Sequence, residues 1–294
     1  MANTKRKTKV SALCLIILVC LLALSAVQHF DLLKLRNWGV MLIYVLVFFL
    51  PMLIYTKTTG RKGKNLLRMR SVSVKYLPFI FLIGIAICLI CGLLNILGAV
   101  VFTSVSTGVQ PTALVDFTSQ NPLVLFLTMV LLPAVTEEFL LRGIALSEYE
   151  QYGTVRAVMI TSLIFALFHA NPVTMLSLFV AGICFGVLTL LFDSVWPALI
   201  AHLLNNLAAL LIAYHHDYIT YILNDTLFII FVVAAIFLLL IGVLKMLEKV
   251  IDQRGKNGKL RYYKRRTKDS PWRSICLWLF VAGCVAKMIF TYII

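Results

Sequence analysis

The chain has 294 residues, of which 61% are hydrophobic and 13% charged, and its mean hydropathy is +0.97. Soluble domains average about 45–50% apolar and about 25% charged residues, so this composition excludes an ordinary soluble domain and indicates a multi-pass membrane protein. The formal net charge of +15 fits basic loops that contact anionic membrane lipid, and we expect no nucleic-acid partner.

Nine apolar segments are candidates for membrane spans, each of which needs about 20 apolar residues. The segments are 10–27, 38–55, 77–102, 122–141, 157–170, 173–192, 196–214, 226–244 and 275–293. The alternating pattern of membrane-barrel strands is absent, so we predict an all-α transmembrane bundle. We expect eight or nine spans, because the first and last segments are the weakest candidates for the core.

Lys and Arg residues predict the orientation of these spans. With nine spans, 24 of the 27 basic residues fall on one side, mainly in segments 56–76 and 245–274. Because cytoplasmic loops carry an excess of Lys and Arg, the N-terminus is predicted to be cytoplasmic. The short loops and the basic cytoplasmic face favour a bacterial plasma membrane.

Intramembrane polar residues concentrate in the middle of the chain. We therefore divide it into N-terminal helices (1–121), a central core with the candidate functional residues (122–214) and C-terminal helices (215–294). The outer two regions are expected to anchor and frame the core.

Two adjacent acids in the fourth apolar segment, Glu137 and Glu138, are the strongest functional signal. Charged groups at membrane depth are costly and indicate a functional site. Glu138 and Arg142 are four residues apart on a helix, which predicts an internal ion pair with a structural role. Glu137 projects in another direction and has no partner on its own helix. It needs a partner on a different helix, a metal ion or a proton, so it is the better candidate for a direct role in catalysis.

His169 is the predicted partner of Glu137. Glu137 lies 16 residues before Gly153 and His169 lies 16 after it, so a helical hairpin turning at Gly153 would place both at one depth. This arrangement requires the fourth helix to continue past Arg142 towards residue 150.

A second histidine lies further along the chain, in a segment where His202 and Asn206 share a helix face. Gly182 and Gly186, one turn apart upstream, form a small face that lets another helix approach closely.

Two chemistries fit these residues. Glu137, His169 and His202 could bind zinc, since two histidines and a carboxylate are a common catalytic zinc set. Without a metal, Glu137 and His169 would activate water while His202 and Asn206 stabilise the oxyanion.

Taken together, the motifs resemble the CPBP family, which comprises the CAAX-protease and bacteriocin-processing (Abi) intramembrane proteases. The family pattern is Glu-Glu-x-x-x-Arg, Phe-x-x-x-His and His-x-x-x-Asn. Here it is Glu137-Glu138 with Arg142, Phe165 with His169, and His202 with Asn206, beside a glycine-rich helix with Phe179, Gly182 and Gly186. The resemblance covers about residues 122–207.

The resemblance implies intramembrane hydrolysis of a peptide bond by an endopeptidase, with metalloprotease as the usual class. Glu137, His169, His202 and Asn206 would lie at its centre, and the substrate would be a membrane-associated or lipidated peptide or protein. Two other interpretations remain. One is a non-catalytic immunity or scaffold protein of the same fold, and the other is a transporter that uses Glu137 and the histidines as a proton relay. No catalytic motif position is lost, and neither inverted repeats nor paired broken helices support a transporter.

Overall fold

The protein is described by a computed structural model that covers residues 10–20, 22, 37–59, 63–105, 121–215, 226–258, 262, 264–267 and 269–292. Within these ranges the chain is mainly helical and has no strand, which confirms the predicted all-α fold. Nine apolar helices occupy the nine predicted segments within this part of the chain. They are α1 (Val10–Cys20), α2 (Asn37–Thr59), α3 (Leu77–Val105), α4 (Pro122–Tyr152), α5 (Thr154–His169), α6 (Met175–Phe192), α7 (Trp196–Tyr214), α8 (Thr226–Lys256) and α9 (Ile275–Tyr292).

Five stretches of these helices are long and apolar enough to cross a membrane by length and composition, and they belong to α3, α4, α6, α7 and α8. The apolar parts of α1, α2, α5 and α9 are shorter. The number of spans and the cytoplasmic N-terminus stay predictions. Some of the basic residues behind the orientation, those of the tail 1–9 with Lys34 and Arg36, lie outside the described residues.

Helix α4 continues well beyond the apolar edge at residue 141, as the hairpin prediction required. It contains two π-helical stretches, Phe126–Leu131 and Phe139–Ala145, on either side of an α-helical stretch, Leu132–Glu138. π-helical turns are rare and often occur at functional sites. Both acids lie at the end of the α-helical stretch, immediately before the helix widens.

A tight turn at Gly153 joins α4 to α5. Gly153 has φ 99° and ψ 149°, a conformation that is essentially restricted to glycine because a Cβ atom would clash there. At its other end α5 stops at His169, because Ala170 is left-handed with φ 46°. The Asn171 side chain accepts a hydrogen bond of 2.9 Å from the backbone N–H of Val173, which holds the following loop. His169 is therefore the last residue of its helix.

Helix α6 lies at the centre of the bundle, since 56% of its apolar window is buried against 6% for α8. It packs against α3, α5 and α7. A Cβ atom on Gly182 would lie 2.9 Å from Cα of Ser162, and one on Gly186 would lie 3.1 Å from Val158, both on α5. The predicted role of the two glycines in close helix packing is confirmed.

Helix α7 packs against α3, α4 and α6. Pro197 lies in its first turn, where a missing N–H costs nothing because that group has no partner within the helix. The packing places the face of α7 that carries His202 against the acids of α4.

Candidate active site

Glu138 is the centre of the polar cluster in the bundle and is fully buried. Its Oε1 atom lies 3.0 Å from Nη1 of Arg142, which confirms the predicted ion pair. The same oxygen accepts a hydrogen bond of 2.9 Å from Nδ1 of His202. One carboxylate therefore joins a residue of its own helix to a residue of α7.

Arg142 is also fully buried, and its guanidinium contacts a backbone carbonyl and two aromatic rings besides Glu138. Nη2 donates a hydrogen bond of 3.1 Å to the carbonyl oxygen of Gly182. The guanidinium carbon lies 4.7 Å from the centre of the Phe165 ring and 5.3 Å from that of Phe185. Cation–π contacts strengthen when water is excluded, so these rings stabilise the charge together with Glu138.

His202 is held in one orientation by three contacts. Its ring stacks on Phe185 with centroids 4.9 Å apart and 16° between the planes, and it meets Phe165 edge-on at 5.4 Å. Since Glu138 is paired with Arg142, its carboxylate acts as the acceptor, and the proton of the hydrogen bond lies on Nδ1. In the neutral imidazole the lone pair is then on Nε2, the atom that points towards Glu137.

Glu137 lies on the other side of this imidazole and is 7% exposed. Its Oε2 atom is buried and has no hydrogen-bond partner in the described part of the chain. That oxygen lies 4.0 Å from Nε2 of His202, too far for a direct hydrogen bond. Polar atoms separated by such a distance are often bridged by a water molecule.

The structure does not support the predicted pairing of Glu137 with His169. His169 is exposed at the end of α5, and its Nδ1 donates a hydrogen bond of 2.9 Å to the carbonyl oxygen of Phe165. The two side chains form neither a hydrogen bond nor an ion pair. Counting residues from Gly153 assumed the uniform rise of an α-helix, and the π-helical stretch Phe139–Ala145 breaks that assumption.

His169 nevertheless belongs to the same aromatic cluster. Its ring lies 5.1 Å from the Phe165 ring, which also contacts the imidazole of His202. The two histidines thus approach one phenylalanine, with His202 inside the bundle and His169 at its surface.

Asn206 lies one helical turn after His202 on α7 and is half-buried. Its amide makes no hydrogen bond within the described part of the chain. The predicted role of Asn206 as a hydrogen-bond donor to the oxyanion stays a prediction. Asn205 is also half-buried, but it projects from a different face of the helix.

The predicted zinc set fits the structure only in part. Both imidazoles use Nδ1 for a hydrogen bond and leave Nε2 available, as zinc-binding histidines commonly do. However, no three His, Cys, Asp or Glu side chains among the described residues lie close enough together to hold a metal ion. Glu137, His169 and His202 do not form a three-ligand site here, and the zinc stays a prediction.

Sequence reasoning missed two parts of this site. It assigned Glu138 to Arg142 alone, although the same carboxylate also orients His202. It did not single out Phe185, which contacts both Arg142 and His202. An aromatic residue in an apolar helix gives no sequence signal that it contacts a polar cluster. A histidine in an apolar segment does give such a signal.

A comparison with known protein families finds a match to the segment that carries these residues. Residues 119–208 match the model of the Rce1-like family, described as type II CAAX prenyl endopeptidase Rce1-like. No curated protein and no solved structure matches the chain. The matched residues include both acids, both histidines and Asn206. The segment that carries the site is therefore similar to the Rce1-like family, in agreement with the CPBP resemblance of its motifs.

Proposed function

We propose that the chain is an intramembrane endopeptidase that hydrolyses a peptide bond in a membrane-associated or lipidated substrate. The family description supports an endopeptidase, and the apolar helices around the site support a reaction within the membrane. The observation that carries the proposal is the geometry between Glu137 and His202.

That geometry supports a proposed position for the attacking water. Oε2 of Glu137 and Nε2 of His202 are 4.0 Å apart, and both are acceptors when the carboxylate is ionised and the imidazole neutral. A water molecule between them would donate one hydrogen to each and direct a lone pair away from both. Such a water is oriented for attack on a carbonyl carbon.

Glu137 is proposed as the general base. It takes a proton from the water as the oxygen bonds to the carbonyl carbon, and it later gives that proton to the leaving nitrogen as the C–N bond breaks. Asn206 is proposed to donate a hydrogen bond to the oxyanion, together with His169 where the substrate reaches the end of α5. The products are a carboxylic acid and an amine.

Glu138 and Arg142 act through His202 and are positioning residues. Glu138 fixes the proton on Nδ1 and so keeps the lone pair of Nε2 directed at the water site. Arg142 balances the charge of Glu138 inside the bundle. The four-residue cluster of Glu137, Glu138, Arg142 and His202 is buried, which strengthens each electrostatic contact.

A substrate with a lipid anchor suits this site. The surface of the bundle carries many large apolar side chains, including Leu123, Phe126 and Met129 on α4, which would face lipid or an apolar chain. The family description names prenylated CAAX substrates for the family. For this chain we propose the broader class, which includes bacteriocin leaders, peptide pheromones and fragments of membrane proteins.

A cleavage assay in native membranes tests the proposal. Wild-type protein should cleave a lipidated peptide library and Glu137→Ala should not, at equal amounts of folded protein. Metal content and the effect of a chelator should be measured on the same preparation: loss of cleavage on chelation with recovery on adding zinc would support the metalloprotease form. Absence of cleavage by the wild type would favour the non-catalytic immunity or scaffold alternative.

A further inference from the structure

A second polar site lies at the end of the bundle where α3 begins and where α6 and α8 end. It is a cavity of about 690 Å³. The lining residues include the extended segment before α3, Asp193 after α6 and Arg254 near the end of α8. None of them belongs to the Glu137–His202 cluster. The cavity is therefore a separate feature for which the proposed peptidase reaction has no use.

Positive charge dominates the walls of this cavity. Arg70, Lys75 and Arg254 line it, and Asp193 is the one acidic residue among its lining residues. Arg70 forms an ion pair with Asp193, and no carboxylate among the described residues pairs with Lys75 or Arg254. The lining is therefore suited to an anion.

The side chains of Lys75 and Arg254 contact aromatic rings instead. Nζ of Lys75 lies 5.0 Å from the ring centre of Tyr76, and the guanidinium of Arg254 lies 5.0 Å from that of Phe192. The Nε atom of Arg254 is buried and has no hydrogen-bond partner among the residues that the structure describes. A buried guanidinium donor without an acceptor is costly unless a ligand supplies one.

Further donors complete the cavity. The hydroxyl groups of Ser71 and Ser73 line it and make no hydrogen bond within the described part of the chain. The backbone that carries them is fixed in place, since Ser194 Oγ donates a hydrogen bond of 2.6 Å to the carbonyl oxygen of Arg70. Guanidinium, ammonium and hydroxyl donors around one space are typical of phosphate recognition.

An apolar groove of about 340 Å³ lies within about one helical turn of this cavity along α6 and α8. Its lining includes Leu191, the residue before Phe192, and Ile251, one helical turn before Arg254. The outer surface of α8 beside it is strongly exposed and apolar. A phosphate cavity next to an apolar groove has the shape of a phospholipid, with space for a headgroup and for an acyl chain.

We propose that this cavity is a binding site for a phosphate group, carried by the headgroup of an anionic lipid or supplied as a free phosphate ion. The proposal goes beyond the peptidase reaction and does not depend on it. Basic pockets between helices at the cytoplasmic surface are known to suit acidic headgroups. The predicted orientation places this end of the bundle on that side.

The test measures binding to the purified full-length chain in detergent. Dissociation constants for dioleoylphosphatidylglycerol and dioleoylphosphatidylcholine are obtained by native mass spectrometry. Binding of radiolabelled inorganic phosphate is measured by equilibrium dialysis without lipid. The variant is the double substitution Lys75→Gln and Arg254→Gln. The matched control is Lys249→Gln, the same change at an exposed position of α8 outside the cavity.

The wild type should prefer phosphatidylglycerol to phosphatidylcholine. Each cation near an anionic lipid contributes about fivefold in affinity, so the double variant should bind phosphatidylglycerol about 25-fold more weakly. Phosphatidylcholine binding and the Lys249→Gln control should be unchanged. Saturable binding of inorganic phosphate that the double variant loses, without a lipid preference, would assign the site to free phosphate.

Two results would overturn the proposal. One is a wild type that neither prefers phosphatidylglycerol nor binds phosphate saturably; the other is a double variant with wild-type affinity for both. If Arg254→Gln prevents folding, the binding of phosphatidylglycerol and phosphate is measured with the single variant Lys75→Gln instead. The Lys75 side chain is exposed, and its removal should weaken binding about fivefold.

Discussion

Glu138 and His202 are 64 positions apart in sequence and are joined by a hydrogen bond of 2.9 Å between Oε1 and Nδ1. The same oxygen contacts Arg142, whose guanidinium in turn donates to the carbonyl oxygen of Gly182. A continuous polar chain thus links α7, α4 and α6 inside an apolar bundle. The orientation of the imidazole and the packing of the bundle depend on the same few side chains.

Substituting Glu138 should impair folding as well as turnover. Glu138→Gln leaves the buried Arg142 without its counter-ion, and breaking one side of a buried pair costs about 3–5 kcal/mol. We expect less monodisperse protein by fluorescence-detected size-exclusion chromatography and a lower melting temperature. Glu248→Gln makes the same chemical change at an exposed position of α8 and should behave as the wild type.

The double variant Glu138→Gln with Arg142→Met sharpens this test. Once the carboxylate is lost, replacing the stranded cation should cost little or restore part of the stability, because the two effects are coupled. The melting temperatures of Glu138→Gln, Arg142→Met and the double variant are compared. If the losses of the two single variants add up to the loss of the double variant, the ion pair is not the cause.

Gly182 should not tolerate even one added methyl group. A Cβ atom at this position would lie 2.9 Å from backbone and side-chain atoms of Ser162, so α5 and α6 would have to separate. Overpacking of this kind costs about 1–3 kcal/mol and should appear as a lower melting temperature for Gly182→Ala. Gly242→Ala is the matched control, because no atom of the described residues lies within 4 Å of its added Cβ atom. Equal stability of the two variants would contradict the close approach of the helices.

Asn206 should affect the rate of cleavage rather than the amount of folded protein. Asn206→Ala removes a proposed oxyanion donor, and loss of one such donor costs about 100- to 1000-fold in rate. The adjacent Asn205→Ala variant deletes an equal amide from another face and should keep near-normal turnover. Rates are compared in one membrane cleavage assay at matched expression. Similar rates for both variants would remove Asn206 from the mechanism.

Topology can be tested by labelling single cysteines in a background without the native ones. Residues in 56–76 and 245–274 should react with an impermeant maleimide from the cytoplasmic side, and those in 103–121 from the outside. Labelling of segment 56–76 from the outside would refute the predicted orientation. Residues 106–120 of the outer loop lie outside the described part of the structure, so labelling also determines on which side of the membrane they lie.

The sequence predicted the helices well because apolar length and helical spacing are local properties. The ion pair of Glu138 with Arg142 follows from a four-residue spacing, and the close approach at Gly182 follows from two small residues one turn apart. Both predictions require only the regular residue spacing of an α-helix. The Gly153 turn was also predictable, since its backbone conformation needs a glycine.

The pairing of side chains between helices was less predictable. Which imidazole faces Glu137 depends on the rise and rotation of α4, and the π-helical stretch after Glu138 changes both. The sequence has no clear signal for such a stretch. The contact of Glu138 with His202 and the place of Phe185 beneath that imidazole also depend on how α6 and α7 pack against α4.

Cleavage by Glu137→Gln protein tests the central claim most directly. The substitution keeps the volume of the side chain and removes the base, while Glu138, Arg142 and His202 keep their contacts. The measurement is the initial rate of substrate cleavage in membranes, normalised to folded protein, with Glu248→Gln as the matched control. The account predicts wild-type accumulation with no detectable turnover for Glu137→Gln and full turnover for the control. Near-normal cleavage by Glu137→Gln would contradict it.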